Sequence, residues 1–253
     1  MAEKSRKRIP KRLKKEPLLE AVWELRFEGD PAAGGALPGI LYEKLKAQGE
    51  NATIETLQLG SIPRKMRETQ EQLRYAPTTV LRYKNYAVFI GDRTTALSVV
   101  KPYPGWREYE RVISTLVTWL RESGMITNVE QSTLKYLDFF EYRPDEVFKK
   151  LRVQVQLGGA KLQGGELQLQ AKIARDGFEG TIAIMNPRTV TDQGQSRQGL
   201  VTDIQVSWKN KESQDFWVDF PEHLRKAKIL CHKLFFELLT EETLEAHKPV
   251  FED

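Results

Sequence analysis

The chain has 253 residues, of which 40% are hydrophobic and 29% charged, so it can bury a core and has an ordinary globular composition. Its one cysteine, Cys231, excludes an internal disulfide and agrees with a reducing cytoplasm. No apolar run approaches the ~18 residues of a membrane span, and the charged N-terminus lacks the apolar region of a secretory signal. We therefore expect a cytoplasmic protein with no membrane association.

Positive charge is concentrated at the N-terminus. Residues 1–15 contain one acid, Glu3, and eight basic residues: Lys4, Arg6, Lys7, Arg8, Lys11, Arg12, Lys14 and Lys15. The whole chain carries +4 and this segment +7, so the remainder carries −3. This asymmetry is typical of a basic arm on a nearly neutral domain. The arm would contact the phosphates of DNA or RNA, or another polyanion; the alternative is a solubilising terminus without a partner.

The first half of the body is predicted to contain strands followed by a long helix. The alternation in LLEAVWELRF (18–27) predicts a strand, and PGILYEKLKAQG (38–49) predicts a short helix with Pro38 in its first turn. TIETLQLGSIP (53–63) predicts another strand, and the polar stretch 64–77 predicts an exposed loop or a weak helix. Residues 78–100 read as a meander, and WREYERVISTLVTWLRESG (106–124) predicts a long helix capped by Gly124.

The second half repeats this order of elements. STLKYLDFFEY (132–142) predicts a strand, and PDEVFKKL (144–151) a short helix opened by Pro144 and Asp145. Residues 165–186 predict a hairpin that turns at Asp176-Gly177. A polar loop is predicted over 187–199, a strand over 199–210, and one long helix over 219–245.

This pattern predicts an α+β fold in which an antiparallel sheet packs on long helices. Each half reads as a strand, a short helix, a meander and a long helix. We divide the chain into a basic flexible arm (1–16), a first α+β half (17–126) and a second α+β half (127–253). The preferred arrangement is one fused domain with a continuous sheet.

The sequence contains no pattern that predicts catalysis, a metal or a cofactor. Its histidines, His223, His232 and His247, lack the spacing of zinc ligands. Cys231 and His232 are adjacent on a predicted helix and therefore do not face each other. Asp138 and Glu141 lie on opposite faces of a predicted strand, which disfavours a paired-carboxylate site. We predict no catalytic residue, no metal site and no cofactor.

Basic residues also cluster in the first half of the body: Arg64, Lys65, Arg67, Arg74, Arg82 and Lys84. They would either extend a polyanion-binding track from the arm or form a solvated face balanced by Glu68 and Glu71. The near balance of local charge favours the solvated face.

Four segments resemble an uncharacterised, sporadically distributed family of bacterial and archaeal proteins of about this length. They are PLLEAVWELRF (17–27), YPGWREYERVISTLVTWL (103–120), LKYLDFFE (134–141) and LRKAKILCHKLFFELLTEETLE (224–245). The family's middle strand carries a glycine and an arginine that STLKYLDF lacks. The resemblance implies no established activity and no catalytic residues, and the sporadic distribution implies an antiviral-defence or mobile-element context.

We therefore expect a non-enzymatic adaptor. Its basic arm would contact nucleic acid or another polyanion, and its α+β body would contact a protein partner, with a homo-oligomer also compatible. The first alternative is a chaperone-like or antitoxin-like module that binds an apolar peptide on its sheet. The second alternative is an enzyme whose site the sequence does not reveal.

Overall fold

A computed structural model describes residues 9–141, 146–161, 166–192, 195–210 and 215–251. Predictions that fall on Lys4, Arg6, Lys7 and Arg8, or on Pro144 and Asp145, lie outside the described residues. No described helix has both the length and the hydropathy to cross a bilayer.

A mixed α/β structure is observed, with one large antiparallel sheet packed against helices. The sheet has nine strands: β2 (Leu18–Gly29), β3 (Thr53–Thr56), β4 (Pro77–Tyr83), β5 (Tyr86–Gly91), β6 (Thr94–Val100), β7 (Ile126–Glu141), β10 (Leu167–Arg175), β11 (Phe178–Asp192) and β12 (Gln195–Lys209). Their order across the sheet is β10-β11-β12-β7-β2-β6-β5-β4-β3. Strands β2 and β7 pair at its centre, and β3 and β10 form its edges.

Three long helices lie on one face of this sheet: α1 (Ala33–Ala47), α3 (Trp106–Glu122) and α5 (Phe216–Leu238). The strands present an apolar face to them because their sequences alternate; Ala21, Trp23 and Leu25 of β2 are fully buried in the common core. The Tyr109 hydroxyl of α3 donates to the carbonyl oxygen of Leu97 at 2.7 Å, and the Trp23 ring meets Phe220 of α5 edge-on. The opposite face, which carries Val22, Glu24 and Arg26, is more polar and is called here the open face.

The remaining elements are short. They are a 3-10 helix (Gln58–Ser61), α2 (Arg64–Thr69), α4 (Val147–Lys150), α6 (Glu241–Ala246), the hairpin of β8 (Gln156–Leu157) with β9 (Ala160–Lys161), and the pair of β1 (Arg12–Leu13) with β13 (Pro249–Val250). The β1–β13 pair joins the two ends of the chain beside α5 and α6.

Several predicted boundaries differ from the observed ones. Helix α1 begins at Ala33, so Pro38 lies inside the helix and not in its first turn. In the predicted loop 187–199, the described residues instead extend β11 and β12, whose backbones stay paired from Arg188 to Asp192 beyond an irregularity after Met185. The predicted helix 219–245 is two helices, because Thr240 caps α6 by accepting a hydrogen bond from the Thr243 amide.

Candidate functional site

The described part of the predicted arm, residues 9–16, is held on the folded body. The Lys11 amide donates to the Val250 carbonyl at 2.7 Å, and the amides of Lys14 and Lys15 donate to the carbonyls of Lys248 and His247. Leu13 is 3% exposed and belongs to the core. The sequence predicted a flexible arm through residue 16; the structure instead folds its second half, because one apolar side chain and a row of backbone hydrogen bonds fix it.

This segment displays cations. Lys11, Arg12, Lys14 and Lys15 are all exposed, and the residues that the structure describes offer no ion-pair partner to Arg12, Lys14 or Lys15. Leu13 of β1 points inward, whereas its neighbours Arg12 and Lys14 are exposed. The segment therefore presents positive charge from a fixed backbone.

Cations on the open face of the sheet are paired instead. Lys135 lies 2.9 Å from Asp203, and Lys209 lies 3.1 Å from Glu179, which Lys172 also approaches at 3.5 Å. Each exposed pair stabilises the fold by only ~0–1 kcal/mol, but it cancels charge that a polyanion would need. The open face is thus a poor phosphate-binding surface.

Five of the six residues in the basic cluster of the first half are also paired; the exception is the exposed Lys65, which has no ion-pair partner among the described residues. Arg67 is buried and reaches Asp92 at 2.7 Å; Arg74 contacts Glu28 and Glu130. Arg64 pairs with Glu68, Arg82 with Glu55 and Lys84 with Glu50. The charge-balanced interpretation is confirmed for the five paired residues, but Arg67 is buried and so is not part of a solvated face. Most of the balancing acids come from elsewhere in the sequence.

A cavity of about 120 Å³ lies directly beneath the basic segment. Its outer wall consists of Lys11, Arg12, Leu13 and Glu16, and its floor is formed by β7, β12 and α5. The polar lining groups are Tyr103, Tyr136, Asp138, Lys228, Cys231 and His232, and the apolar ones are Leu13, Pro17, Leu18, Ile204, Phe235 and Phe236.

Asp138 is the most unusual residue of this cavity. It is 4% exposed, sits on the helix-facing side of β7, and its carboxylate makes no hydrogen bond or ion pair with any described residue. Burial raises the pKa of this carboxyl to about 7, and the nearby Lys228 ammonium only partly opposes that effect. Near neutral pH, Asp138 therefore exchanges between a proton-donating acid and a proton-accepting carboxylate.

Lys228 faces the same space from α5. The residue is partly exposed, and its Nζ lies 4.4 Å from the centre of the Tyr136 ring and 5.5 Å from that of Trp106. Burial lowers the pKa of this ammonium group, and the aromatic faces offset part of the cost of burying it. Nζ has no acid within ion-pair distance among the described residues, so its donors are directed at rings and at the cavity.

Two tyrosines contribute hydroxyls. The hydroxyls of Tyr103 and Tyr136 are neighbours, but both are buried and neither forms a hydrogen bond of ordinary geometry with a described residue. Burial raises the pKa of both, which keeps them as neutral donors. A buried hydroxyl without a hydrogen-bond partner costs about 1–3 kcal/mol. A ligand that accepts a hydrogen bond from such a hydroxyl is therefore favoured.

The cysteine–histidine pair does not form a nucleophilic site. The Cys231 thiol donates to the Leu134 carbonyl at 3.6 Å, and burial raises its pKa to about 12, so the reactive thiolate is scarce. His232 Nε2 instead lies 3.1 Å from the Lys11 carbonyl oxygen, and this hydrogen bond links α5 to the basic segment. Across the described ranges, no group of three or more His, Cys, Asp or Glu is placed to hold a metal ion.

Sequence reasoning missed Lys228, although a signal for it exists. Leu224, Lys228, Cys231 and Phe235 follow one another at spacings of four, three and four on α5. A lysine in such an otherwise apolar stripe is directed toward the interior. The opposite orientation of Asp138 and Glu141 was predicted correctly, since Asp138 is buried and Glu141 exposed.

No family model matches the sequence, and no curated protein is significantly similar to it. The resemblance over residues 17–245 therefore stays a prediction.

Proposed function

We propose that the protein is a non-enzymatic adaptor of the cytoplasm that binds nucleic acid through its basic N-terminal segment. The observation that carries the proposal is the contrast in charge pairing. Arg12, Lys14 and Lys15 are exposed without a described acid partner. By contrast, Lys135, Lys172 and Lys209 of the open face and five of the six basic residues of the first-half cluster are paired. Lys4, Arg6, Lys7, Arg8 and Lys11 would add phosphate contacts, and each contact strengthens binding by releasing counterions.

A protein partner would use the open face, which none of the three long helices covers. Its paired charges and its partly exposed polar residues, such as Gln205 and Ser207, suit a neutral protein surface better than a phosphate backbone. The two-half organisation belongs to this proposal as well. Its support is that β2 pairs with β6, the last strand of the first meander, while β7 pairs with β12, the last strand of the second.

Fluorescence anisotropy with a labelled duplex and a labelled single strand tests the proposal. The triple variant R12Q/K14Q/K15Q removes three unpaired cations and leaves the anchoring Leu13 in place. We expect it to bind at least tenfold more weakly than the natural chain at moderate salt, because three phosphate contacts are lost.

The matched control is K172Q/R225Q/K226Q, which removes the same charge from ion-paired surface positions. It should bind within about twofold of the natural chain. Equal losses in the two variants would mean that net charge alone governs binding, and no binding by the natural chain would refute the proposal. A chain that begins at Ile9 separates the contribution of residues 1–8 from that of the folded segment.

A further inference from the structure

The cavity beneath the basic segment has the attributes of a built ligand site, and this inference is independent of nucleic-acid binding. Asp138 is 4% exposed, has no hydrogen-bond or ion-pair partner among the described residues, and lines the cavity. The hydroxyls of Tyr103 and Tyr136 are likewise buried without a regular partner. Unsatisfied buried polar groups are uncommon in folded proteins, and two such hydroxyls beside the unpaired carboxyl of Asp138 indicate a missing ligand.

The charge of the lining selects the class of guest. Lys228 brings three ammonium donors and no acceptor, and the two tyrosine hydroxyls donate as well. Lys11 and Arg12 stand at the outer wall and are opposed there by Glu16. Donors and positive charge thus outnumber acceptors, which favours an anion whose oxygens accept several hydrogen bonds together.

The size and the remaining lining narrow the class further. A cavity of about 150 Å³ accommodates benzene, so the 120 Å³ found here suits about five or six non-hydrogen atoms. Leu13, Ile204 and Phe235 present only carbon to the guest. A compact anionic group with a short hydrocarbon chain satisfies both parts of the lining.

We propose that this cavity binds a small monocarboxylate of about the size of propionate, held by the Lys228 ammonium and the hydroxyls of Tyr103 and Tyr136. Asp138 faces the same space and must carry a proton when the anionic guest is bound, since two adjacent carboxylates repel. The basic segment 9–16 closes the site from outside.

Protonation of Asp138 gives the proposal a distinctive pH dependence. The groups around it are Lys228, Tyr136, Cys231, His232, Tyr103 and Glu16, together with the charge of Asp203 on the neighbouring strand. Burial favours its protonated form up to about pH 7. Above that pH, binding of the anion requires Asp138 to take up a proton from solvent. The affinity should therefore fall by up to tenfold per pH unit.

A titration with ¹³C-labelled propionate, followed by NMR of the full chain, tests the proposal. We expect saturable shifts at one site, and at least tenfold weaker binding of propionamide and propylamine, which lack the negative charge. The K228M variant should bind propionate at least tenfold more weakly. The control K226M alters an exposed lysine two positions away on the same helix and should stay within twofold.

Two further variants keep the test decisive if K228M does not fold. Y103F removes one hydroxyl and should weaken propionate binding severalfold, and D138N should bind propionate with no loss of affinity above pH 7. Three results would overturn the proposal: no saturable binding by the natural chain, tighter binding of propylamine than of propionate, or the same pH dependence in D138N as in the natural chain.

Discussion

Replacing Leu13 by alanine tests whether residues 9–16 belong to the fold. Leu13 is 3% exposed and packs in the main core, although it lies between charged residues. The substitution removes three buried carbon atoms, which contribute about 2.4 kcal/mol at ~0.8 kcal/mol each. The cavity left behind adds to this loss, and buried leucine-to-alanine changes cost about 2–5 kcal/mol in total.

One physical limit applies to this loss. If residues 9–16 detach from the body, the cavity left by Leu13 disappears with them. The loss of stability in L13A therefore cannot exceed the free energy that holds residues 9–16 on the body. We therefore expect L13A to lower the free energy of unfolding by about 2–3 kcal/mol, towards the low end of the range. If the segment does detach in L13A, the amides of Lys14 and Lys15 should lose their protection from hydrogen exchange, because both donate hydrogen bonds to the C-terminal segment.

Urea denaturation of L13A and of the control I9A provides the measurement. Ile9 is 42% exposed, so I9A should change the free energy of unfolding by less than about 0.5 kcal/mol. An L13A variant within ~0.5 kcal/mol of the natural chain would refute the placement of this segment, because a detached arm has no core contact to lose.

Three further predictions concern buried groups. Because the pKa of the Asp138 carboxyl is higher in the folded chain than in the unfolded chain, the native state holds one extra proton between about pH 4 and 7. The free energy of unfolding should therefore fall as pH rises through that window, by about 1.4 kcal/mol per pH unit in urea titrations. D138N should lack this slope, and an unchanged slope in D138N would contradict the raised pKa of Asp138. Native Cys231 should react with iodoacetamide at pH 8 at least a hundredfold more slowly than in the unfolded chain, which mass spectrometry can follow, and equal rates would mean that the thiol is not buried. R67M should lower the free energy of unfolding by about 3 kcal/mol, because it leaves the largely buried Asp92 unpaired. The double variant R67M/D92L should recover part of that loss. An R67M variant as stable as the natural chain would show that the pair is solvated.

Local sequence signals predicted the elements whose pattern is carried by adjacent residues. The alternation around Trp23 predicted β2, the spacing of Tyr109, Ile113 and Leu116 predicted α3, and Asp176-Gly177 predicted the hairpin turn, where both residues have positive φ. These signals need no information from distant parts of the chain, since each element buries one regular face.

Elements that depend on distant partners were predicted less well. The polar, glutamine-rich stretch 187–199 was predicted to be a loop, yet Arg188 to Asp192 pair with Gln195 to Gly199 as an extension of β11 and β12. Gly34 and Gly35 weaken the helical signal before Pro38, so the start of α1 was placed too late. The contact of Leu13 with the core requires the C-terminal segment, more than 200 residues away, and a cluster of charges conceals it.

The candidate site shows the same division. That Asp138 points inward follows from strand alternation, and that Lys228 points inward follows from the stripe on α5. Their convergence with Tyr103 depends on the packing of α5 against β7 and on the segment that covers them. The site combines residues from distant parts of the chain, and residue spacing within one part does not predict which other parts will contact it.

If the exposed, unpaired cations Arg12, Lys14 and Lys15 bind phosphate, they must contribute to the salt dependence of duplex binding. Each phosphate contact contributes about 0.9 to the slope of the logarithm of affinity against the logarithm of salt concentration. We expect R12Q/K14Q/K15Q to flatten that slope by about 2.7 relative to the natural chain, while K172Q/R225Q/K226Q should leave it unchanged. An identical slope in all three proteins would contradict phosphate binding by these cations.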